Sequence, residues 1–425
     1  MSETPDRPDP ADEALDEQIN EEARLRARRV RARRILLGAL LLILVGLGVY
    51  GIWPWLLPAF IYEGPMVQMA GEREVTLVWY MTRPVRDGLS VQIGPDQHTC
   101  SVESNNRRCR ATFTDLEAGQ ALAYTITLGR RTLAQAELRT NKPAGEPFTF
   151  IVFGDSGKGS QTQYRVAAHM TAADPDFLLH TGDVVYGAGE RRKYRERFFV
   201  PYEELLRRVN LWPSLGNHDV YEPSLGQPYL EIFELPENGP PAQPPERNYW
   251  FDYASARIAI VDSNVSEAAL RDDVAPWLND VLTETDAPWK FVVFHHPPYT
   301  GGHYEPDQRI QNTLVPVFDR TGVDIVFNGH DHMYQRTRPI CGGKVVGDGS
   351  GVVYIVSGAG GARLYDALPP KERPQYVAAL HNKVHSFTSV SVVNDQELTL
   401  KQVALDGEIL DRWTLDKTPP PEQQP

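Results

Sequence analysis

The stretch HTGDVVYGAG places a carboxylate, Asp183, at the end of an apolar run and a phenol, Tyr186, three residues later. Other polar groups fall in the same way. Asp155 ends FTFIVFGD, Asn217 and His218 follow LWPSLG, His295 and His296 follow WKFVVF, and His330 and His332 follow VDIVFNG. Any one of them could be bland: Asp183 could cap a helix and Tyr186 could pack. Five strand-like ends doing it together point to shared chemistry. Carboxylate, amide, imidazole and phenolate are oxygen and nitrogen donors, and the absence of cysteine from the set excludes a Cys-type structural zinc site. The candidate metal ligands are Asp155, Asp183, Tyr186, Asn217, His295, His330 and His332. That set is too large for one catalytic ion with open positions, and it suits two ions if one carboxylate bridges. Two ions about 3.5–4 Å apart can clamp a phosphoryl group and generate hydroxide near neutral pH. The residues therefore point to metal-assisted hydrolysis of a phosphate ester.

Such groups need elements that present them. From residue 148 onward the chain shows short continuous apolar runs, which fit strands buried on both faces. TQYRVAAHMTAA and RIQNTLVPVFDRT have helical spacing and would cover those faces, giving an α/β sheet with helices. Ligands in open α/β sheets bind beyond the carboxyl ends of the strands, so the polar groups are expected on one rim of one sheet. Residues 64–142 read differently. EVTLVWYMT, LSVQIG, RCRATFTDL and LAYTITLG are β-branched and aromatic runs between turn residues, as in a small sandwich. TNKPAGEP is a linker, and SFTSVSVVNDQELTLKQVALDGEILDRWTL reads as three antiparallel strands. GAGG at 358–361 lacks a P-loop pattern and reads as a tight turn near the site. His169, His180, His381 and His385 read as structural.

Five blocks occur in order: GDSG at 154–157, GDVVY at 182–186, GNHD at 216–219, VVFH at 292–295 and GHDHMYQR at 329–336. Together they resemble the calcineurin-like metallophosphoesterases, and the tyrosine of the second block resembles the purple acid phosphatase branch. The resemblance covers residues 64–415. It implies a metallophosphoesterase β-sandwich covered by helices at 147–415, preceded by a fibronectin type III-like domain at 63–142. It implies a first, ferric ion held by Asp155, Asp183, Tyr186 and His332. A second, divalent ion (iron, zinc or manganese) would be held by Asp183, Asn217, His295 and His330, with Asp183 bridging. Hard oxygen donors in the first set suit a hard cation. His218 resembles the group that protonates the leaving oxygen, and His296 and His303 resemble phosphate-contacting positions. Asp219 stands where many relatives have Glu. Which of His295 and His296 faces the metal follows only from the V-x-x-H register.

The bulk numbers bound the setting. The chain has 425 residues and 41% apolar content, enough for several domains and a large core. Residues 63–425 carry 47 acidic and 35 basic side chains, which argues against a nucleic-acid surface. A phosphate substrate remains compatible, because bound metal supplies local positive charge. Residues 1–22 are acidic and Pro-rich and are expected to be disordered, as is the tail at 416–425. Residues 24–34, RLRARRVRARR, precede an uncharged run from Ile35 to Tyr62. That run exceeds the roughly 20 residues of a membrane helix. The arginines should stay cytoplasmic and the rest be exported, periplasmic or extracellular. A cleaved signal peptide is the alternative, against which stand the long leader and the lack of a small-x-small site. In an exported domain a disulfide between Cys100 and Cys109, across a polar turn, is the expected chemistry.

The reading is a membrane-anchored, externally facing phosphatase acting on monoesters through metal-bound hydroxide. A phosphodiesterase or nucleotide hydrolase would use the same metal core, the difference lying in loops 223–248 and 298–308. A non-catalytic surface binding protein would show a degraded ligand set, and here every position is filled.

Overall fold

The computed structural model describes residues 58–417, except 86, 95–97, 102, 106 and 348, together with residues 28 and 31–43. The expected disorder at 1–22 lies outside the described residues, and so does the Cys100 side chain on which a disulfide to Cys109 depends. Residues 31–43 are helical. Among the described residues no helix is long and apolar enough to cross a membrane, and 44–57, the middle of the expected span, lie outside them. The C-terminal end of that span needs correction. Ile61 and Tyr62 begin a strand, with Ile61 paired to Met81. Apolar composition runs unbroken from one element into the next, so it could not mark this boundary.

The described residues from 60 to 417 form one compact unit. Its first part is all β: β1 (Ile61–Gln68), β2 (Val75–Met81), β3 (Leu89–Ile93), β4 (His98–Ser101), β5 (Glu103–Asn105), β6 (Arg108–Phe113), β7 (Ala121–Leu128) and β8 (Arg131–Arg139). They make two four-stranded sheets, ordered β1-β2-β6-β5 and β4-β3-β7-β8, with antiparallel pairing throughout.

The second part supplies β9 (Phe148–Phe153), β10 (Phe177–His180), β11 (Leu211–Pro213), β12 (Tyr249–Tyr253), β13 (Ala256–Ile260), β14 (Trp289–Val293), β15 (Ile325–Asn328) and β16 (Tyr334–Thr337). After the short hairpin β17 (Ile340–Cys341) and β18 (Lys344–Val345) come β19 (Val353–Ser357), β20 (Val377–His381), β21 (Ser386–Val392), β22 (Glu397–Ala404) and β23 (Ile409–Asp416). A six-stranded sheet runs β11-β10-β9-β21-β22-β23, and a seven-stranded sheet runs β12-β13-β14-β15-β19-β16-β20. The single sheet expected from the apolar runs is therefore wrong, and the β-sandwich implied by the resemblance is what forms. Two sheets pack face to face, and buried parallel strands in either sheet leave the same mark on the sequence.

β14 shows why. Trp289, Phe291 and Val293 join the core between the sheets, where the Phe291 ring lies 5.5 Å from that of Phe150 in β9. Val292 and Phe294 face the other way, against Leu278, Leu282 and Phe318 of the covering helices. Every residue of the run but Lys290 is buried, so no alternation survives. The helix Gln161–Ala172 forms as expected, capped by Ser160 accepting from the Gln163 amide. The second expected helix breaks in two, Gln308–Thr313 and Val315–Thr321, with Pro316 in the first turn of the latter. β21, β22 and β23 are the three antiparallel strands expected from the sequence. The first two residues of the expected C-terminal tail are ordered instead: Asp416 closes β23, and Lys417 pairs with Asp324 at 2.7 Å, while 418–425 lie outside the described residues.

Candidate metal centre

The two sheets bring their carboxyl-end rims together. Asp155, Asp183 and Asn217 follow β9, β10 and β11 of the six-stranded sheet. His295 and His330 follow β14 and β15 of the seven-stranded sheet, and His332 stands just before β16. Three of these residues hold left-handed backbone: Asp155 (φ 54°), Asp183 (φ 57°) and His330 (φ 69°). Non-glycine residues rarely adopt that region, and such strain clusters at functional sites. It turns each side chain back over the rim. The flanking glycines allow the approach. A Cβ on Gly329 would lie 2.5 Å from Asp155 Oδ2, and one on Gly216 would strike Asp183 Oδ1.

Asp155, Asp183 and His332 bring one ligand atom each within 4.8 Å of one another, all three buried. The Tyr186 hydroxyl lies 2.7 Å from His332 Nε2 and 3.3 Å from Asp155 Oδ1. On the other side, Asn217 Oδ1 lies 3.0 Å from both His295 Nε2 and His330 Nδ1. Asp183 stands between the groups, its Oδ1 3.6 Å from His295 Nε2. His295, not His296, faces this cluster.

The ring tautomers test whether cations fit. His295 Nδ1 is 2.8 Å from the Thr181 carbonyl, and His332 Nδ1 is 2.6 Å from the Arg363 carbonyl. A carbonyl only accepts, so both Nδ1 atoms carry hydrogen and both Nε2 atoms present lone pairs to the cluster. The lone pair on His295 Nε2 then faces the Asn217 Oδ1 acceptor, while Asn217 Nδ2 donates to the Tyr221 hydroxyl at 2.6 Å. Acceptors turned on each other, beside two buried carboxylates whose ion pairs are with imidazoles, fit a bound cation.

Electrostatics agree. Without a cation, burial lowers His332 but Asp155 outweighs it and raises the ring, so that Nε2 too can carry a proton. Burial raises the Asp155 carboxyl, but the hydrogen bond from that imidazolium and the surrounding imidazoles outweigh it and hold it below the ordinary carboxylate range. Burial, reinforced by Asp155 and Asp183, pushes the Tyr186 phenol well above its ordinary value. A phenolate there requires a cation in place of the proton. Burial, with His295 beside it, lowers His330 to about 3, so it stands ready as a neutral ligand. Asp219 is buried and accepts from the Val184, Val185 and Gly216 amides, tying the Asp183 turn to the Asn217 turn. Burial and then Asp183 raise it to about 7.

The calcineurin-like phosphoesterase family model matches residues 148–334, and the model described as iron/zinc purple acid phosphatase-like protein C matches residues 351–412. The chain carries a calcineurin-like phosphoesterase domain followed by a purple acid phosphatase-like C-terminal domain. It is a metal-dependent phosphoric ester hydrolase. Purple acid phosphatase 17 of Arabidopsis thaliana is 25% identical over 310 residues, covering 63% of this chain and 84% of the relative. Purple acid phosphatase 18 of the same plant is 29% identical over 234 residues, and that match spans about half of each protein, 52% and 51%. Among solved structures, a purple acid phosphatase from yellow lupin (Lupinus luteus) seeds superimposes with a TM-score of 0.69 at 17% identity, covering 83% of this chain and 74% of that one. At that identity the match speaks for the fold.

Around the ligand cluster this purple acid phosphatase-like centre places the other expected residues. His218 donates its backbone amide to Asp183 Oδ1 at 2.9 Å, and its Nδ1 lies 2.8 Å from the Gly187 carbonyl. That leaves Nε2 free. His296 Nδ1 is 2.8 Å from Ser263 Oγ, and burial holds the ring well below the usual histidine range. His303 is exposed, its ring 5.0 Å from Tyr304 and 5.1 Å from Tyr365, so it lies at the rim rather than in the cluster. His180, expected to be structural, is fully buried and bonds Ser156 Oγ at 3.0 Å. The GAGG turn donates the Gly360 amide to the Gly154 carbonyl, beside Asp155.

Sequence reasoning missed four groups. Lys158 Nζ lies 3.8 Å over the Tyr186 ring. Tyr304 and Tyr365 stack on His330 and His332. Asp331 accepts from Thr300 Oγ1, His303 N and Tyr304 N, which fastens the loop after His296 to the loop carrying two ligand candidates. Asp331 alone left a signal, as a carboxylate between two candidate ligands.

Proposed function

We propose that this chain is a dinuclear phosphatase that hydrolyses phosphate monoesters. The observation that carries the reading is the position of Asp183, within reach of Asp155 and His332 on one side and of His295 on the other. One ion would be held by Asp155, Asp183, Tyr186 and His332, and the other by Asp183, Asn217, His295 and His330. The oxygen-rich first set suits Fe(III), and the second suits a divalent ion such as iron, zinc or manganese. Bound there, the ions would neutralise the phosphoryl charge and make hydroxide available near neutral pH.

The chain's own groups then handle orientation and protons. The Gly187 carbonyl fixes the His218 ring, so that Nε2 can hold the proton passed to the leaving oxygen. Ser263 Oγ accepts from the His296 amide at 3.2 Å and lies 2.8 Å from its Nδ1; in the tautomer in which Oγ donates there, hydrogen stays on Nε2 to contact a phosphoryl oxygen.

The test is metal analysis of the purified full chain with a panel of esters. About two ions per chain and monoester turnover at least about tenfold above diester turnover are expected. Within that panel His218→Ala should keep both ions and lose about 10²–10⁴ in rate on alkyl phosphates, with a smaller loss on an activated aryl phosphate. Equal losses on both would remove His218 from the acid role, and a diester preference would overturn the monoesterase reading.

The same proposal includes an anchor. It is supported by the apolar run beginning at Ile35 directly after seven arginines at 24–34. The arginines stay inside, and the unit from residue 60 faces outward. Protease added outside intact cells should digest that unit. Protection of the unit while residues 1–22 are cut would reverse the orientation, and a soluble form starting near residue 60 would mean a cleaved leader.

A further inference from the structure

The mouth of the metal centre carries aromatic side chains that the chemistry above does not use. Within residues 60–425, the described tyrosines most open to solvent are Tyr62, Tyr164, Tyr221 and Tyr304, and two of these four border the centre. Tyr304 lies flat on His330, with ring centroids 4.1 Å apart and planes 21° from parallel, yet 39% of it is exposed. One face is therefore covered by the His330 ring, while part of the side chain stays open to solvent. Tyr221 stands on the Asn217 side, its ring 4.9 Å from that of His218, and it is 47% exposed. Both rings are held in place. The Tyr221 hydroxyl accepts from Asn217 Nδ2 at 2.6 Å, and the Tyr304 amide donates to Asp331. Tyr365, stacked on His332 at 3.9 Å, braces Tyr304 from behind at 5.8 Å. Rigid rings with exposed apolar surface favour a planar partner, because little ordering entropy is lost when it stacks.

We infer that Tyr221 and Tyr304 hold the planar part of the leaving group, so that the preferred substrates are phosphate esters of alcohols bearing an aromatic or heteroaromatic ring. This rests on the phosphatase reading above. Stacking of a base on an aromatic side chain is worth roughly tenfold or more in binding. It acts on the leaving group while the phosphoryl group stays with the metal ligands.

The test compares kcat/KM for adenosine 5′-monophosphate and glycerol 3-phosphate, which both release a primary alcohol, with phenyl phosphate as the aryl arm. The wild type should favour the nucleotide by at least about tenfold. Tyr304→Leu and Tyr221→Leu should each lower that ratio about fivefold or more, while Tyr304→Phe and Tyr221→Phe keep it. Because the Tyr221 hydroxyl also orients Asn217, the ratio is read at saturating metal with the metal content of each variant measured alongside. A preference for phenyl phosphate alone would restrict the clamp to aryl esters and overturn its nucleotide arm. A wild-type ratio near one, or Leu variants that slow both alkyl esters in parallel, would overturn the clamp. If no ester is turned over, the phosphatase reading falls by itself. The clamp is then judged by calorimetry, where adenosine monophosphate must bind at least about tenfold more tightly than inorganic phosphate.

Discussion

Asp183→Asn should cost the protein both metal ions and almost all turnover. Asp183 is buried, sits within 4.8 Å of the Asp155 and His332 ligand atoms, and lies 3.6 Å from His295 Nε2. Asparagine is nearly isosteric and is among the few residues that tolerate left-handed backbone, so the φ of 57° should survive. The His218 amide keeps an oxygen to bond. What disappears is one negative charge, from the one residue proposed to touch both ions. Loss of a ligand's charge should weaken metal binding by more than the 10–100-fold typical of outer-shell changes, and turnover should fall by at least about 10³. The metal-free variant should be no less stable than the metal-free wild type, because Asp183 and Asp219 no longer repel each other. Elemental analysis and a melting curve read both effects. Two ions per chain with near-normal turnover would remove Asp183 from the bridging position.

Much of this centre was legible because each group directly follows an apolar run. Asp155, Asp183, Asn217, His295 and His330 could be chosen from that pattern alone, and the structure brings them to one place. What the pattern could not give was the sheet to which each strand belongs. The runs around Phe150 and Phe291 are equally apolar because both strands are buried on two sides, yet they lie in different sheets whose rings meet at 5.5 Å. The Ile61 boundary was hidden for a related reason, since a membrane-like run and the start of a strand draw on the same apolar and aromatic residues. Tyr304, Tyr365 and Lys158 were invisible because nothing local marks them. Each matters through a contact made only after folding, such as the stacking of Tyr365 on His332, 33 positions away in the chain. His303 differs from these, since its expected phosphate contact is a role that burial does not report. A histidine near the right place in the sequence sits exposed at the rim, while its neighbour Tyr304 lies over the site.

Tyr186→Phe should turn a coloured protein colourless. A phenolate bound to Fe(III) has an allowed charge-transfer transition in the visible, and zinc or magnesium pairs give none, because neither ion accepts the electron. The three-residue offset in GDVVY has a structural basis: Asp183 takes left-handed backbone, the turn reverses, and Tyr186 points back at the same rim. The Tyr186 amide is held by the Gly157 carbonyl at 3.0 Å, so the ring should stay in place without its hydroxyl. Removing the oxygen deletes contacts to His332 at 2.7 Å and Asp155 at 3.3 Å. In the metal-free protein that loss should cost about 1 kcal/mol, the usual scale for a hydrogen bond. With iron bound, the loss is that of a ligand. The visible band should vanish and the first ion should dissociate more readily, while the second site keeps its affinity within a few-fold. Lys158, 3.8 Å above the ring, gives a second readout in the wild type. Its positive charge stabilises a phenolate, so Lys158→Met should move the band to longer wavelength without removing it. An iron-loaded wild type with no visible band, or a Phe variant that keeps its colour, would make Tyr186 a packing residue and leave the first ion to Asp155, Asp183 and His332 alone.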